Sequence, residues 1–227
     1  MEIILSGYGK MGKVIEGIMK QRQHTLLKTF DSEKDYKNIT AINAICIDFS
    51  TPDAFKKNYK SIADHFRGAV VGTTGWGDIE QDVRDYFLER GKSLVYATNF
   101  SLGVNIYFEV LDFMSALISQ HANYDPYIIE LHHKEKKDAP SGTAKSIQQI
   151  LKKHFKREID APAVRSGFIK GVHETGFESE YDKLTFRHEA YTREGFALGA
   201  VIAAEWLLES KGVWRFSDLL KSKLKEG

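Results

Sequence analysis

The first hundred residues alternate short apolar runs with amphipathic stretches. An apolar run at residues 3–5 precedes a segment whose apolar positions recur at helical spacing over residues 14–18. Further apolar runs, which end in small or polar residues, lie at residues 26–30, 69–75 and 94–100. Strands that alternate with helices at short range build a parallel sheet with helices on its faces. The pattern predicts an α/β domain with a doubly wound parallel sheet over residues 1–100.

The pattern changes character near Phe100. Long apolar-periodic stretches predict helices over residues 103–120, 143–155 and 195–208, the second of them behind a good N-cap residue, Ser141. Strand-like pieces lie between them at residues 127–133, 165–170, 172–177 and 184–190. This order predicts a second, mixed α+β domain over residues 101–200.

Composition limits the possible functions without selecting one. The chain has 227 residues, 28% of them charged, with a net charge of +1, and its lysines and arginines are dispersed rather than massed with aromatics. We therefore expect neither a nucleic-acid partner nor a membrane span. Met1 leads directly into an apolar run, so we expect no signal peptide and a cytoplasmic protein. The single cysteine, Cys46, lies in an apolar run and is expected in the core, and no histidine or cysteine spacing predicts a metal site.

A glycine-rich turn separates the first predicted strand from the first predicted helix. It consists of Gly7, Tyr8, Gly9, Lys10, Met11 and Gly12. In a Rossmann-type fold such a turn lets a pyrophosphate approach the positive end of the helix dipole. Asp31 ends the next apolar run and is placed where a carboxylate meets the adenosine ribose. The alternatives are a tight turn that binds nothing and a solvated aspartate.

The charge of Asp31 bears on the choice between the two nicotinamide cofactors. A carboxylate at this position repels a 2′-phosphate, and Ser32 offers no guanidinium to attract one. Lys34 is near enough to leave some tolerance. We therefore expect NADH to be preferred and NADPH to be possible.

Residues 130–144 concentrate groups for proton transfer beside groups that bind an anion. His132 and His133 are adjacent on a predicted strand, so they should face opposite ways. Imidazole is the usual general acid or base, and lysines crowded by other cations become better proton donors. Beyond Pro140, a helix capped by Ser141 would present the free N–H groups of Gly142 and Thr143 to a carboxylate or phosphate. An acidic substrate is expected.

The same segment carries a resemblance to a known family. It meets every fixed position of the motif E-x-H-H-x-x-K-x-D-A-P-S-G-T-A, which resembles the signature of the 4-hydroxy-tetrahydrodipicolinate (dihydrodipicolinate) reductase family. Two more segments are similar to family motifs: the G-T-T-G run at residues 72–75 and the A-x-N-F-S-x-G-V-N run at residues 97–105. The resemblance implies a nicotinamide-dependent reductase of diaminopimelate and lysine biosynthesis.

The resemblance also implies roles for individual residues. His132 would be the acid/base, Lys136 the proton donor, and His133, Ser141, Gly142 and Thr143 would hold a substrate carboxylate. The cofactor would lie on the glycine turn and Asp31, with its nicotinamide near Gly72, Thr73, Thr74, Ala97, Thr98, Asn99 and Phe100. Residues 201–227 would complete the nucleotide domain, and the second domain would assemble a homotetramer. Exposed strand edges such as residues 184–191 independently favour an oligomer.

Some alternatives stay open. Residues 72–75 are also compatible with an ordinary loop, and Asn99 with a helix cap. His24, His65, His121, His154 and His188 are interpreted as structural, whereas His173 and Arg193 match family positions without an assigned role. Two rival functions are another Rossmann-fold dehydrogenase for amino or imino acids and a nucleotide-binding sensor without turnover. The groups at His132, Lys136 and Thr143 argue against the sensor, which would need none of them.

Overall fold

A computed structural model describes residues 1–37, 39–121 and 123–225. The chain divides into two compact units, one formed by Met1–Ser101 together with the residues from Arg193 onward, the other by Leu102–Thr192. The strands are β1 (Glu2–Ser6), β2 (Thr25–Phe30), β3 (Ile42–Asp48), β4 (Phe66–Val71), β5 (Ser93–Tyr96), β6 (Asp125–His132), β7 (Ala163–Arg165), β8 (Val172–Glu178), β9 (Lys183–Glu189) and β10 (Val213–Arg215). The α-helices are α1 (Lys10–Gln21), α2 (Pro52–His65), α3 (Glu80–Glu89), α4 (Leu102–Ile118), α5 (Gly142–Phe155), α6 (Glu194–Trp206) and α7 (Phe216–Lys225). Helix α6 lies wholly in the first unit, whereas the expected domain boundary at residue 201 falls inside it.

The first unit contains a six-stranded sheet in the order β10-β5-β4-β3-β1-β2. Each of its strand pairs is parallel. The strands are rich in residues buried on both faces, as a sheet covered by helices requires. The chain leaves β1 towards β2 and then returns to β3 on the other side, so the strand order reverses between β1 and β3. That reversal point is where doubly wound folds bind nucleotides, and the fold-class prediction is confirmed.

The second unit is built on a mixed sheet in the order β7-β6-β8-β9. Strand β6 pairs antiparallel with β8 and parallel with β7. Helices α4 and α5 cover one face, where Tyr107, Leu111, Ile128, Leu151 and Phe177 form the centre of a buried cluster. Ile128 and Ile129 point to opposite faces, and Ile129 is exposed. The second unit therefore has a core of its own on one side of its sheet.

The predicted helices agree with the observed ones to within two residues. Helix α5 begins after Ser141, whose side chain accepts a hydrogen bond from the N–H of Ala144, so the N-cap prediction is confirmed. The strand predicted over residues 165–170 is wrong, because β7 ends at Arg165. Gly167 has a φ of +52°, a left-handed conformation that turns the chain.

Two further expectations concern single features. Cys46 is a buried free thiol in β3, as expected for a core residue. Among the residues that the structure describes, no helix is long and apolar enough to cross a membrane.

Candidate functional site

The glycine turn follows β1 at the point where the strand order reverses. Gly7 has a φ of +85°, and a Cβ built on it would lie 2.5 Å from the carbonyl oxygen of Phe49. A Cβ on Gly12 would lie 2.4 Å from the carbonyl oxygen of Gly7. A Cβ on Gly9 would meet no described atom within 4 Å. Gly7 and Gly12 are thus required by the packing of the backbone, whereas a side chain at Gly9 would extend into open space.

Helix α1 begins directly behind this opening. Gly9 is its N-cap residue, and within the described chain no side chain caps it. Its first turn carries no acidic residue, and the adjacent Lys10 is exposed. Tyr8 donates its hydroxyl hydrogen bond to Glu16, and Met11 is half-buried. The positive end of the helix dipole is therefore available to an anion such as a pyrophosphate.

Asp31 lies at the end of β2, next to the glycine turn. Its carboxylate accepts a 2.6 Å hydrogen bond from the backbone N–H of Tyr8. A second carboxylate, Asp35, accepts hydrogen bonds from the N–H groups of Asp31 and Ser32, at 3.0 and 2.9 Å, and one from the Ser32 hydroxyl at 3.0 Å. Hydrogen bonds from Ser32 lower the pKa of Asp35, so it is ionised near neutral pH. Two carboxylates and three donors that are already hydrogen-bonded thus lie at the end of β2, next to the glycine turn.

The expected nicotinamide segment after β4 lies against a buried polar network. Thr73 is buried and donates its hydroxyl hydrogen bond, at 2.5 Å, to Asp48 at the end of β3. The same hydroxyl accepts a hydrogen bond from the N–H of Ser50, at 2.8 Å. Burial raises the pKa of Asp48, against hydrogen bonds from its neighbours. The Thr73 hydroxyl is therefore committed to the protein, whereas Thr74 is exposed and half-buried Gly72 lies under the ring of Phe49.

The segment after β5 contributes mainly backbone. The N–H of Ala97 donates to the carbonyl of Val71 at 3.1 Å, which holds the segment beside β4. Thr98 is exposed, and the Asn99 side chain accepts from the N–H of Ser101 at 2.8 Å, as a residue that ends a loop does. The Phe100 ring is buried and packs 4.9 Å from the ring of Phe216. Phe100 is accordingly a core residue at the edge of the expected cofactor site.

In the second unit, a buried carboxylate connects the signature segment. Glu130, on β6, is 0% exposed. One oxygen accepts from the N–H of Ser141 at 2.9 Å and from its hydroxyl, and the other accepts from Arg165 at 2.5 Å. Desolvation alone would raise the pKa of Glu130, but the hydrogen bonds from Ser141 and Arg165 outweigh it and hold the pKa below its usual range. Glu130 is an ionised carboxylate paired with a guanidinium.

His132 lies two residues further along the same face of β6. Its Nδ1 is 3.6 Å from the nearer carboxylate oxygen of Glu130, and the side chain is 9% exposed. Burial lowers the pKa of His132, Glu130 acts against that change, and Lys136 and Arg165 reinforce it. The surroundings of the imidazole therefore favour its neutral form.

His173, on β8, completes this cluster, although the sequence assigned it no role. Its ring lies 5.2 Å from that of His132, centre to centre, and its Nε2 is 3.0 Å from the Ser141 hydroxyl oxygen. Burial, and then the charge of His132, lowers the pKa of His173 to about 4. His173 is neutral at physiological pH and acts as a hydrogen-bonding group.

The other expected proton donor lies beside a carboxylate. The Lys136 ammonium is 2.8 Å from Asp138, whereas Lys134 and Lys137 are exposed. Crowding by neighbouring cations was expected from the sequence, and the structure instead places an opposite charge against Lys136. His133 is half-buried, in contrast to buried His132, and it lies just beyond the end of β6, so the alternation of side chains along a strand does not extend to it.

At the start of helix α5, some hydrogen-bond donors are bonded within the protein and others lie near the surface. Ser141 is 3% exposed, and both its N–H and its hydroxyl are used by Glu130. Gly142 is exposed, and a Cβ there would meet no described atom within 4 Å. Thr143 is half-buried. Of the four residues predicted to hold a carboxylate, Gly142 and Thr143 lie at the open helix end, Ser141 supports them from beneath, and His133 lies in the loop after β6.

Glu130, His132 and His173 bring possible metal ligands within 4.8 Å of one another. The Arg165 guanidinium already neutralises the carboxylate at 2.5 Å, and Ser141 occupies its second oxygen. A cation would lie beside the fixed positive charge of Arg165 and would compete with the donors of Ser141 for the carboxylate. Hydrogen bonds, rather than a metal ion, account for this cluster.

The sequence did not single out Asp48, Glu130 or Arg165, which belong to the hydrogen-bond networks around Asp48 and Glu130. It named His173 but assigned it no role. Arg165 follows Glu130 by 35 positions, and Asp48 precedes Thr73 by 25. Glu130 is the first fixed residue of the signature motif, which was the available signal for it. Arg193 directly precedes α6 and is exposed, and it again receives no role.

Comparisons with known proteins identify the family and the fold of this chain. Residues 1–100 match the family profile "Dihydrodipicolinate reductase, N-terminus", and residues 103–220 match "Dihydrodipicolinate reductase, C-terminus". The 4-hydroxy-tetrahydrodipicolinate reductase of Christiangramia forsetii is 37% identical over 99% of this chain and 100% of its own length. That of Thermosipho africanus is 34% identical over 94% of each chain. A dipicolinate-bound dihydrodipicolinate reductase from Paenisporosarcina sp. TG-14 has a similar fold, with a TM-score of 0.79 at 20% identity over 95% of this chain and 97% of that one.

Proposed function

This chain belongs to the dihydrodipicolinate reductase family, and from that premise we propose that it reduces 4-hydroxy-tetrahydrodipicolinate to tetrahydrodipicolinate with a nicotinamide cofactor. The reaction would serve diaminopimelate and lysine biosynthesis. The observation that carries the proposal is the pairing, within one short segment, of buried His132 with the open helix end at Gly142 and Thr143. A titratable imidazole beside an anion-binding helix start suits the reduction of a dicarboxylate ring.

The first unit has the features that a dinucleotide requires. Gly9 leaves room for a pyrophosphate, the first turn of α1 lacks a side-chain cap within the described chain, and Asp31 provides a carboxylate for ribose hydroxyls. The reduced nicotinamide would supply the hydride. Gly72, Thr74, Ala97 and Thr98 would flank it, while Thr73 and Phe100 would shape the site from within the fold.

NADH is proposed as the preferred cofactor, with NADPH as a weaker one. Asp31 and Asp35 place two carboxylates where a 2′-phosphate would lie. Asp35 also occupies the N–H and hydroxyl donors of Ser32. A phosphate at this position would meet like charges and find these donors already bonded.

The second unit would hold and protonate the substrate. One substrate carboxylate would accept hydrogen bonds from the N–H groups of Gly142 and Thr143 and from His133, with Ser141 fixing the helix start. His132 would act as the acid/base and Lys136 as the proton donor that quenches the charge developing on the ring. Asp138 would keep the Lys136 ammonium in place through their 2.8 Å ion pair.

The family also supports a proposal of oligomerisation. Ile129 and Val164 are exposed, and Ile129 projects from the sheet face opposite the core of the second unit. Such an apolar face is typical of a subunit interface. We retain the homotetramer and the cytoplasmic location as predictions.

The test is an assay of NADH and NADPH oxidation with freshly made synthase product. His132→Ala and Lys136→Ala should bind NADH normally and lose at least about 100-fold in kcat, as general acid–base groups do. The matched controls are His121→Ala and Lys134→Ala, which remove exposed groups of the same kinds and should keep near-normal rates. Near-normal turnover of either active-site variant would exclude that residue from catalysis. Reduction of 2-oxo acids with ammonia, in place of the synthase product, would favour an amino-acid dehydrogenase.

A further inference from the structure

We propose that Glu130 is a positioning residue whose carboxylate holds the neutral His132 ring with its proton on Nδ1, which leaves Nε2 to exchange protons with the substrate. The inference deepens the proposed function and rests on it, because only that function makes the proton-exchange partner of Nε2 a substrate. Its core, the choice of tautomer, concerns only groups of the second unit and is measurable without turnover.

The first support is the geometry of the two side chains. The Nδ1 atom of His132 is buried and has no hydrogen-bond partner among the described residues. The nearest carboxylate oxygen is that of Glu130, at 3.6 Å. A buried ring nitrogen without a partner is costly, and a small rotation of the imidazole would close this gap to a hydrogen bond. Because an ionised carboxylate can only accept, that bond requires the proton on Nδ1.

The second support is that the carboxylate cannot turn away. Ser141 binds one oxygen through its N–H and hydroxyl, and Arg165 binds the other at 2.5 Å. Arg165 is itself held by the carbonyl oxygen of Asp138, at 2.6 Å. Three segments, β6, β7 and the start of α5, thus fix one acceptor beside His132. A rigid acceptor selects a tautomer more strongly than a mobile one does.

The third support comes from the opposite edge of the ring. A Cβ on Gly171 would lie 3.0 Å from Nε2 of His132, so a larger residue would cover that nitrogen. Gly171 has a φ of +154°. Glycine at this position leaves Nε2 reachable. The two nitrogens therefore have distinct surroundings, with a fixed anion near Nδ1 and a bare backbone near Nε2.

The other charged groups around His132 do not compete for this role. On the neighbouring segments these are His173 on β8, Arg165 on β7, and Lys136 and Asp138 in the loop after β6. Arg165 and Lys136 are cations and offer no acceptor. Asp138 is bound to Lys136 at 2.8 Å. The Nε2 atom of His173 lies 3.0 Å from the Ser141 hydroxyl and 3.5 Å from the Glu130 oxygen that Ser141 binds, which is not the oxygen beside His132. Among the described residues, Glu130 is the carboxylate nearest to Nδ1 of His132, at 3.6 Å.

The direct test is ¹⁵N NMR of the wild-type chain with labelled histidine, at a pH where the His132 ring is neutral. The His132 signals are identified by their loss in His132→Gln. Shifts of the Nδ1–H tautomer are expected. A predominant Nε2–H tautomer would overturn the proposal, and this measurement needs no folded variant of Glu130.

The second test removes the charge and keeps the shape, in Glu130→Gln. We expect the Nε2–H tautomer to gain population and the pKa of His132 to fall, because the stabilising anion is lost. In the assay, kcat should fall by about 10- to 100-fold, part of the effect of general acid–base catalysis, with the KM for NADH unchanged. Because the neutral ring is the form that accepts a proton at Nε2, the pH at which kcat declines on the acidic side should move down with the pKa of His132.

The matched control is Glu135→Gln, which removes an exposed carboxylate from the same segment and should change none of these quantities. A purely structural role for Glu130 predicts that Glu130→Gln lowers the free energy of unfolding while the folded variant keeps the tautomer of His132 and the pH profile of kcat. That result would refute the positioning role. An Nδ1–H tautomer in a chain that fails to reduce the synthase product would contradict the proposed function alone.

Discussion

The backbone N–H of Tyr8 donates a 2.6 Å hydrogen bond to the carboxylate of Asp31. This bond joins the glycine turn after β1 to the end of β2. It also places a negative charge at the turn before any cofactor binds, so a cofactor would meet a carboxylate that is already oriented. Orientation in advance reduces the entropy that binding costs.

Asp31→Asn keeps an acceptor oxygen for Tyr8 and removes the charge. We expect the Kd of NADH to rise about 10-fold, because a charge-assisted hydrogen bond to the ribose becomes a neutral one. The Kd of NADPH should fall or stay constant, since a repulsion is removed. Fluorescence titration with both cofactors measures the ratio. Asp53→Asn, an exposed carboxylate in α2, is the control, and an unchanged ratio in Asp31→Asn would contradict the role of Asp31.

Two glycines in α1 should respond in opposite ways to alanine. At Gly12 the added Cβ would lie 2.4 Å from the carbonyl oxygen of Gly7, so we expect a loss of about 1–3 kcal/mol in the free energy of unfolding and weaker NADH binding. At Gly17, exposed in the same helix, the Cβ would meet no described atom within 4 Å. Gly17→Ala should therefore add about 1 kcal/mol. Urea unfolding measures both changes, and equal effects at the two positions would contradict the explanation.

The buried imidazole of His173 makes stability depend on pH. Its pKa is about 4 in the folded chain, below the usual 6.5, so between these values the unfolded chain binds a proton that the folded chain does not. The contribution of His173 is complete above pH 6.5 and declines as the pH falls towards 4, by about 3 kcal/mol in all.

His173→Gln should remove this dependence. The difference in free energy of unfolding between wild type and variant should shrink as the pH is lowered through that range, and urea unfolding at several pH values measures it. His121→Gln, at an exposed position, should leave the slope unchanged. A difference that stays constant with pH would show that His173 is not buried as a neutral ring.

Phe177 belongs to the buried cluster of the second unit and is 0% exposed. Phe177→Ala should lower the free energy of unfolding by about 3–5 kcal/mol, because it removes apolar contacts and leaves a cavity. Phe168→Ala, at a ring that is 82% exposed, should change it by less than about 0.5 kcal/mol. Thermal unfolding of both variants tests whether the stability of the second unit depends on this core. Similar midpoints for the two variants would contradict that dependence.

Local signals were sufficient for the elements that carry the site. The apolar period predicted α4, α5 and α6, and Ser141 marked the start of α5, because capping and periodicity act within one or two turns of the chain. They were insufficient at residues 165–170, where β7 ends after Arg165 and Gly167 turns the chain. Whether a short piece joins a sheet depends on the strand it pairs with, here β6, which lies more than thirty positions away.

The amino-acid sequence by itself determined the alternation of strands and helices in the first hundred residues, helices α4, α5 and α6, and the glycine turn. It also determined the position of Asp31 and the histidine and lysine of the signature segment, since each of these features lies in neighbouring residues. Only the tertiary structure decided that Glu130 pairs with Arg165, that His173 stands beside His132, and that Asp48 takes the hydroxyl of Thr73. These contacts depend on strand register, and register places side chains in contact that no short stretch of sequence brings together.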